Sequence, residues 1–208
     1  PDQLWLGADC ATSLRLSHNH TLWLFGDTLI SGWQGGHREL RGCHMSHQTM
    51  ALQGEAPDSP LDFVWRVDAT TGLPLNLFSP PGSARHAVRC DAPFNETTPY
   101  NWIVAGIESG SAGLPAGRLV LLAQRILATP GRGLGFAVLG TTLIAVENAA
   151  SGDPTLWNYR STNLTSCQVS AVAGSPPPPC ETWAAGIFAA PANDCVGGVG
   201  CVYLAGSI

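Results

Sequence analysis

Apolar and polar positions alternate along the chain in short runs, and Gly, Pro, Asn or Asp closes each run. This is the period-two signature of half-buried strands, not the 3.6-residue stripe of helices. Residues 4–16 (LWLGADCATSLRL) read as a strand, residues 17–20 as a hairpin turn and residues 21–28 (TLWLFGDT) as a second strand. Third and fourth strands are expected at 48–52 and at 62–67 (DFVWRV). The order then recurs from Trp102 (WIVAGIES), with strands expected at 118–126, 135–146 and 155–159 (TLWNY). It starts again at Trp183 (WAAGIFAA), followed by 201–207 (CVYLAGS).

Each copy opens on a tryptophan ahead of small residues. Trp5 precedes Gly7 and Ala8, Trp102 precedes Ala105 and Gly106, and Trp183 precedes Ala184, Ala185 and Gly186. Innermost strands of a radial array crowd near the axis, where bulky side chains collide. Four strands per unit, repeated, predict an all-β fold of the β-propeller type. The expected organisation is one domain over 1–208, with blade 1 at about 4–68, blade 2 at about 100–160 and the start of blade 3 at about 182–208. The copies lie farther apart than the roughly 40–50 residues of common blades, so long loops are expected at 31–46, 70–100 and 161–181. A ring needs at least four blades, so about two and a half predict a piece of a longer chain. A small closed β-sandwich is the alternative.

Composition narrows the picture. The 24 glycines and 16 prolines leave little room for long helices. Charged residues are 12% of the chain, the ten basic residues are all arginine, and the net charge is −5. No basic stripe exists to displace counterions, which argues against electrostatic nucleic-acid binding. No apolar run approaches the roughly 18 residues of a membrane span.

The cysteines are Cys10, Cys43, Cys90, Cys167, Cys180, Cys195 and Cys201, without any C-x-x-C. Asn19, Asn95 and Asn163 each begin an N-x-[ST] sequon, all in expected loops. Together these predict a secreted chain with disulfides. The expected pairs are Cys195–Cys201, Cys167–Cys180 and Cys43–Cys90. Cys10 is left over, as a small buried hydrophobe or as the partner of another chain. Ser175 and Pro176, Pro177, Pro178 and Pro179 favour a polyproline II segment. This run resembles the serine-plus-four-prolines unit of extensins, the hydroxyproline-rich wall glycoproteins of plants and green algae. That resemblance implies glycosylated hydroxyproline at these four positions.

Trp5–Leu16 followed by LWLFGDT (22–28) resembles the opening of an uncharacterised five-bladed β-propeller family, related in fold to arabinanase- and β-xylosidase-like glycoside hydrolases. The similarity continues through SHQTMAL (46–52), LLAQR (121–125), GFAVLGTTL (135–143) and DPTLW (153–157), and so touches most of the chain in order. Cys10 departs from it, since a small residue such as glycine is typical there. The resemblance implies a funnel-shaped sugar site on the axis, where carboxylates from different inner strands converge.

Asp9 is the first candidate for such a carboxylate. It lies on a strand otherwise apolar or small, and an unpaired buried carboxylate is costly. It also matches the general base of the related hydrolases. Asp27 ends the second strand, as a turn cap for backbone amides or as a catalytic group. Glu108 ends the first strand of unit two, as the second carboxylate or as a solvated residue. An inverting hydrolase holds its acid and base roughly 6.5–9.5 Å apart, a gap that Asp9 and Glu108 on neighbouring blades are expected to span. The third unit offers no matching acid, which weighs against catalysis.

His47 is expected to bind sugar hydroxyls at the axial rim or to be structural, and Trp102 to stack on a sugar or to pack between blades. The spacing of His44 and His47 beside Cys43 lacks further ligands, so neither a metal site nor a cofactor is expected. The function expected is a secreted glycoprotein that binds or hydrolyses carbohydrate. The alternative is a non-catalytic structural subunit of an extracellular wall or filament, whose partners are other copies or subunits.

Overall fold

The computed structural model describes residues 3–17, 19–34, 37–38, 42–56, 58–80, 83, 86–90, 98–108, 117–129, 135–165, 182–190 and 201–207. Among these residues the chain is all-β and antiparallel, with two 3-10 turns at Ala149–Ser151 and Pro154–Leu156. No helix among them is long and apolar enough to cross a membrane.

The first hairpin is bent at its middle. One arm is β1 (Gln3–Ala8) and β2 (Thr12–Leu16), and the other is β3 (His20–Phe25) and β4 (Thr28–Gln34). The single strand expected over 4–16 is therefore two. Cys10 takes a left-handed φ of 48°, which a residue with a side chain adopts only where its surroundings hold it, and this turns the chain out of extended geometry. Two backbone bonds tie the arms at the bend: Asp9 N–H to Asp27 O (3.1 Å) and Gly26 N–H to Asp9 O (3.0 Å). Cys10 is exposed there and is not part of a buried strand.

The stretch 31–46, expected as a loop, carries the end of β4, a short β5 (His37–Arg38) paired to it, and β6 (His44–Ser46). Beyond it come β7 (Thr49–Gln53), β8 (Leu61–Val64), β9 (Arg66–Val67), β10 (Pro74–Leu75) and β11 (Val88–Arg89). The hairpin halves thus enter different sheets. The order β2-β3-β7-β8 makes a four-stranded sheet, while β1-β4-β6-β11 with β5 makes an outer sheet beyond the bend. Cys43 and Cys90 form a disulfide across the outer sheet, with Cα atoms 5.5 Å apart. The other two expected pairs include Cys167, Cys180 and Cys195, which lie outside the described residues, as do Asn95 and Pro176 to Pro179.

A second four-stranded sheet follows in simple chain order: β12 (Tyr100–Glu108), β13 (Leu119–Ala128), β14 (Phe136–Val146) and β15 (Tyr159–Asn163). The fourth strand begins at Tyr159, not at Thr155. Asp153 accepts from Thr155 N–H (2.9 Å) and Thr155 Oγ1 (2.7 Å), and Pro154 follows it, so these residues close a 3-10 turn and cannot extend. Asn163 accordingly sits on a strand, where it accepts from Thr142 Oγ1 (3.1 Å). The chain ends in a hairpin of β16 (Thr182–Ala190) and β17 (Cys201–Ser207).

Alternation does what it predicts in β2 and β3. Leu14, Leu16, Leu22 and Leu24 turn inward, while Ser13 and Arg15 face solvent. These leucines and Met50 share one core with Ile103, Leu119, Leu121, Ala123, Ile144 and Val146 of the second sheet. β12 lies beside β2 on one side and β16 on the other, joined by packing and not by a shared ladder. Gly106 sets how closely they approach: a Cβ there would meet Leu121 Cδ2 at 2.6 Å and Leu14 Cδ2 at 3.0 Å. Gly106→Val is therefore expected to cost about 1–3 kcal/mol through overpacking, measured by urea unfolding. An unchanged midpoint would mean that the two strands do not abut.

Candidate functional site

The bend in the first hairpin places two carboxylates side by side. Asp9 lies between β1 and β2, and Asp27 lies between β3 and β4. The Asp9 carboxylate accepts from the Asp27 backbone N–H and from the Cys10 thiol. It lies over Gly26, where any Cβ would collide with it and would also press on Cys10 Cβ at 3.2 Å. The glycine of LFGDT thus leaves room for the Asp9 carboxylate, while its own backbone angles make no such demand.

Asp27 does not cap backbone amides among the bonds observed. Its Oδ1 accepts from His47 Nδ1 (2.6 Å) and from Trp102 Nε1 (3.0 Å). The His47 side chain is fully buried, and that of Asp27 is 23% exposed. His47 stands in the interruption between β6 and β7. Its backbone N–H donates to Asn76 Oδ1 (2.9 Å), and its ring stacks on Tyr100 with centroids 3.5 Å apart and planes 8° from parallel. Tyr100 and Trp102 are two residues apart on β12 and meet edge to face. Trp102 also packs edge-on against Phe136. Four of the residues named from sequence, Asp9, Asp27, His47 and Trp102, therefore come together where the two sheets meet.

Electrostatics separate Asp9 from an ordinary surface aspartate. Burial first, and the charge of Asp27 second, push its carboxyl above the usual 3.8, and hydrogen bonds from the Asp27 backbone, the Cys10 thiol and its own backbone offset only part of this. By surface area Asp9 is an exposed residue, so water screens the carboxyl and the desolvation is only partial. The same surroundings push the Cys10 thiol up, by burial and then by the charge of Asp9. That disfavours the thiolate and argues against Cys10 as a nucleophile.

Glu108 is not part of this cluster. It is buried at the far end of β12, where it accepts from Ser17 N–H and from Ser17 Oγ (2.8 Å). The length of β12 between Trp102 and Glu108 amounts to ~20 Å at strand rise. The structure does not bring Asp9 and Glu108 to facing positions. Trp5 is packed elsewhere too: its ring stacks on Phe63 at 4.3 Å, and its Nε1 donates to Thr49 Oγ1 (3.3 Å). Asn19 sits exposed at the hairpin turn with φ 59°. Cys43 is taken up by its disulfide, and no group of three or more His, Cys, Asp or Glu among the described residues is arranged to hold a metal ion.

Sequence reasoning missed Tyr100, Asn76 and Gln48. Tyr100 had a readable signal, since residues i and i+2 of a strand share a face and Trp102 was already singled out. Asn76 and Gln48 had none, because their roles are fixed by contacts distant in sequence. Gln48 Nε2 donates to Asn101 O, and its Oε1 accepts from Phe78 N–H (2.8 Å).

No protein-family model matches the chain, and no curated protein matches it. Among solved structures it is similar to "a putative hydrolase" from Bacteroides ovatus ATCC 8483, with 14% identity and a TM-score of 0.49. The similarity covers 72% of this chain and 36% of that one, so the chain spans just over a third of that protein's length.

The raised carboxyl of Asp9 gives a signed expectation. Its contribution favours the fold below the unfolded value near 3.8 and is lost as pH rises through the higher folded value. Asp9→Asn removes the charged form. The variant is expected to unfold at a higher temperature than the parent at about pH 7, with the difference closing near pH 3. A difference independent of pH in paired thermal melts would contradict the raised carboxyl of Asp9.

Proposed function

We propose that the two four-stranded sheets and the last hairpin are successive blades of a β-propeller, at about 4–68, 100–160 and 182–208. We further propose that the junction of its first two blades is a carbohydrate site of the glycoside-hydrolase type. The observation that carries this reading is the convergence of Asp9 and Asp27 with His47 and Trp102. The Asp9 carboxyl is raised by burial and by the charge of Asp27, and that second carboxylate is fixed beside it by two donors. Two carboxyl groups in differing surroundings are what acid–base cleavage of a glycosidic bond uses.

In this reading Asp9 is the group that carries the proton, and Asp27 accepts hydroxyl or water hydrogens through whatever capacity His47 and Trp102 leave it. Tyr100 backs His47 and keeps the histidine from swinging into the cleft. Glu108 has no part in the chemistry and instead fastens the turn at Ser17. The outer-sheet disulfide and the sequon at the exposed Asn19 support a secreted glycoprotein. The alternative, a non-catalytic structural subunit of an extracellular wall or filament, rests on the segment Ser175 to Pro179 and has no use for the carboxylate pair.

Binding and release of reducing ends, measured on arabinan, xylan and galactan, separate the two readings. Turnover is expected on at least one polymer, lowered by about 10²–10⁴-fold in Asp9→Asn with the circular dichroism unchanged. No binding and no turnover on any of them, or full activity in Asp9→Asn, would reject the hydrolytic site and leave the structural role.

A further inference from the structure

A second concave site lies between residues 75–80 and residues 157–161 and encloses about 450 Å³. This is within the roughly 300–1,000 Å³ of small-molecule sites. Its wall includes Arg66, Arg160, Trp157, Tyr159, Asn158 and Asn76. We propose that this cavity binds a saccharide through a carboxylate, as in a hexuronic acid unit, apart from the Asp9–Asp27 junction.

The charge balance of the cavity is the first argument. The protein is acidic, with ten arginines and no lysine, yet two of those arginines line this one cavity and no carboxylate does. Elsewhere, exposed arginines carry acidic partners: Arg15 with Glu55 at 3.2 Å, and Arg118 with Glu147 at 3.3 Å. Arg160 is exposed and makes no ion pair among the described residues. Arg66 donates through Nη2 to Trp157 O (2.6 Å), which holds its guanidinium against the wall. Asp153 lies within electrostatic range of Arg66, but its Oδ1 is engaged by Thr155. Guanidinium groups that line one cavity select carboxylate by charge and by fork geometry.

The remaining wall argues for a sugar and not a bare ion. The Trp157 indole N–H has no hydrogen-bond partner among the described residues, although Trp157 is only 2% exposed. A buried donor without an acceptor costs free energy, and its resonance reports on changes in the wall that Trp157 helps to form. Asn158 and Ser161 offer further polar groups for hydroxyls, and the Tyr159 ring offers an apolar face for sugar C–H groups. A simple oxyanion would use the arginines and leave the rest of the cavity unfilled. Asn76 belongs to both places, since its Oδ1 accepts from His47 N–H and Ser46 Oγ, yet the arginines are remote from Asp9 in the chain and unconnected to it by any bond observed.

The test is a titration of the ¹⁵N-labelled full chain with galacturonate, galactose and sulfate, following the Trp157 indole resonance, assigned by its loss in Trp157→Phe. Galacturonate is expected to shift this resonance and galactose to leave it in place. Arg160→Gln, at an exposed position, is expected to weaken galacturonate binding by roughly tenfold or more. Asp9→Asn is expected to bind it as the parent does, so that failure of this site and failure of the hydrolytic reading stay distinguishable. The proposal is overturned if galacturonate gives no shift, if galactose or sulfate shifts the resonance as strongly, if Arg160→Gln binds normally, or if Asp9→Asn abolishes binding.

Discussion

Asp27 Oδ1 is a polar fastening point between the first unit and the second sheet. One donor, His47 Nδ1, comes from the interruption between β6 and β7 of the same unit, and the other, Trp102 Nε1, comes from the first strand of the second sheet. Neither donor is free to find water easily: the His47 side chain is fully buried, and the Trp102 ring is packed against Phe136 and Tyr100. Losing the acceptor strands both, at about 1–3 kcal/mol for each buried group left unmade. The same fastening holds a second carboxylate next to Asp9, whose carboxyl is raised first by burial and then by that neighbouring charge.

Around Asp27 the same boundary is lined with amides. Asn76 receives His47 N–H and Ser46 Oγ, Gln48 bridges Asn101 O and Phe78 N–H, and Asn101 Nδ2 donates to Phe78 O (2.7 Å). An apolar seam would hold the sheets together as firmly but would not fix their register. Directional bonds do, because a slip by one residue would leave several buried groups unpaired at once. The leucine core beneath supplies the non-directional part, and Gly106 lets β12 settle close to Leu14. The fold thus divides the work: packing brings β2 and β12 together, and amides, histidine and aspartate decide where they stop.

Part of the strand order could be read from alternation, as in β2 and most of β3, and the rest from short apolar runs bounded by turn residues, as in β7 and β13, which bury residues on both faces. What could not be read was the bend. Nothing local in LGADCATS announces a left-handed Cys10, so one long strand was the natural expectation for residues 4–16. The fourth strand of the second unit was displaced for a readable reason: Asp153-Pro154 is a turn opener. Of the site, Asp9 was legible as a carboxylate on an otherwise apolar or small-residue strand, Asp27 as the end of a strand, His47 by its spacing from His44 and Trp102 as the tryptophan that opens a repeat. Their partnership was not, since it is made across sheets. Asp27 illustrates this well. Gly-Asp-Thr reads as a capped turn, but the aspartates that cap turns here are Asp68 and Asp153, which accept from Thr71 and Thr155 amides at 2.7 and 2.9 Å. Asp27 has an identical side chain and serves a histidine and a tryptophan far away in the sequence.

The claim that Asp27 couples the two sheets is tested most directly by a double-mutant cycle of Asp27→Ala and Trp102→Phe, read by urea unfolding. Trp102→Phe keeps an aromatic ring and removes the indole donor, so the cycle isolates that bond. The account predicts a coupling energy of about 1–2 kcal/mol between the two sites. Effects that simply add, to within about 0.3–0.5 kcal/mol, would contradict it.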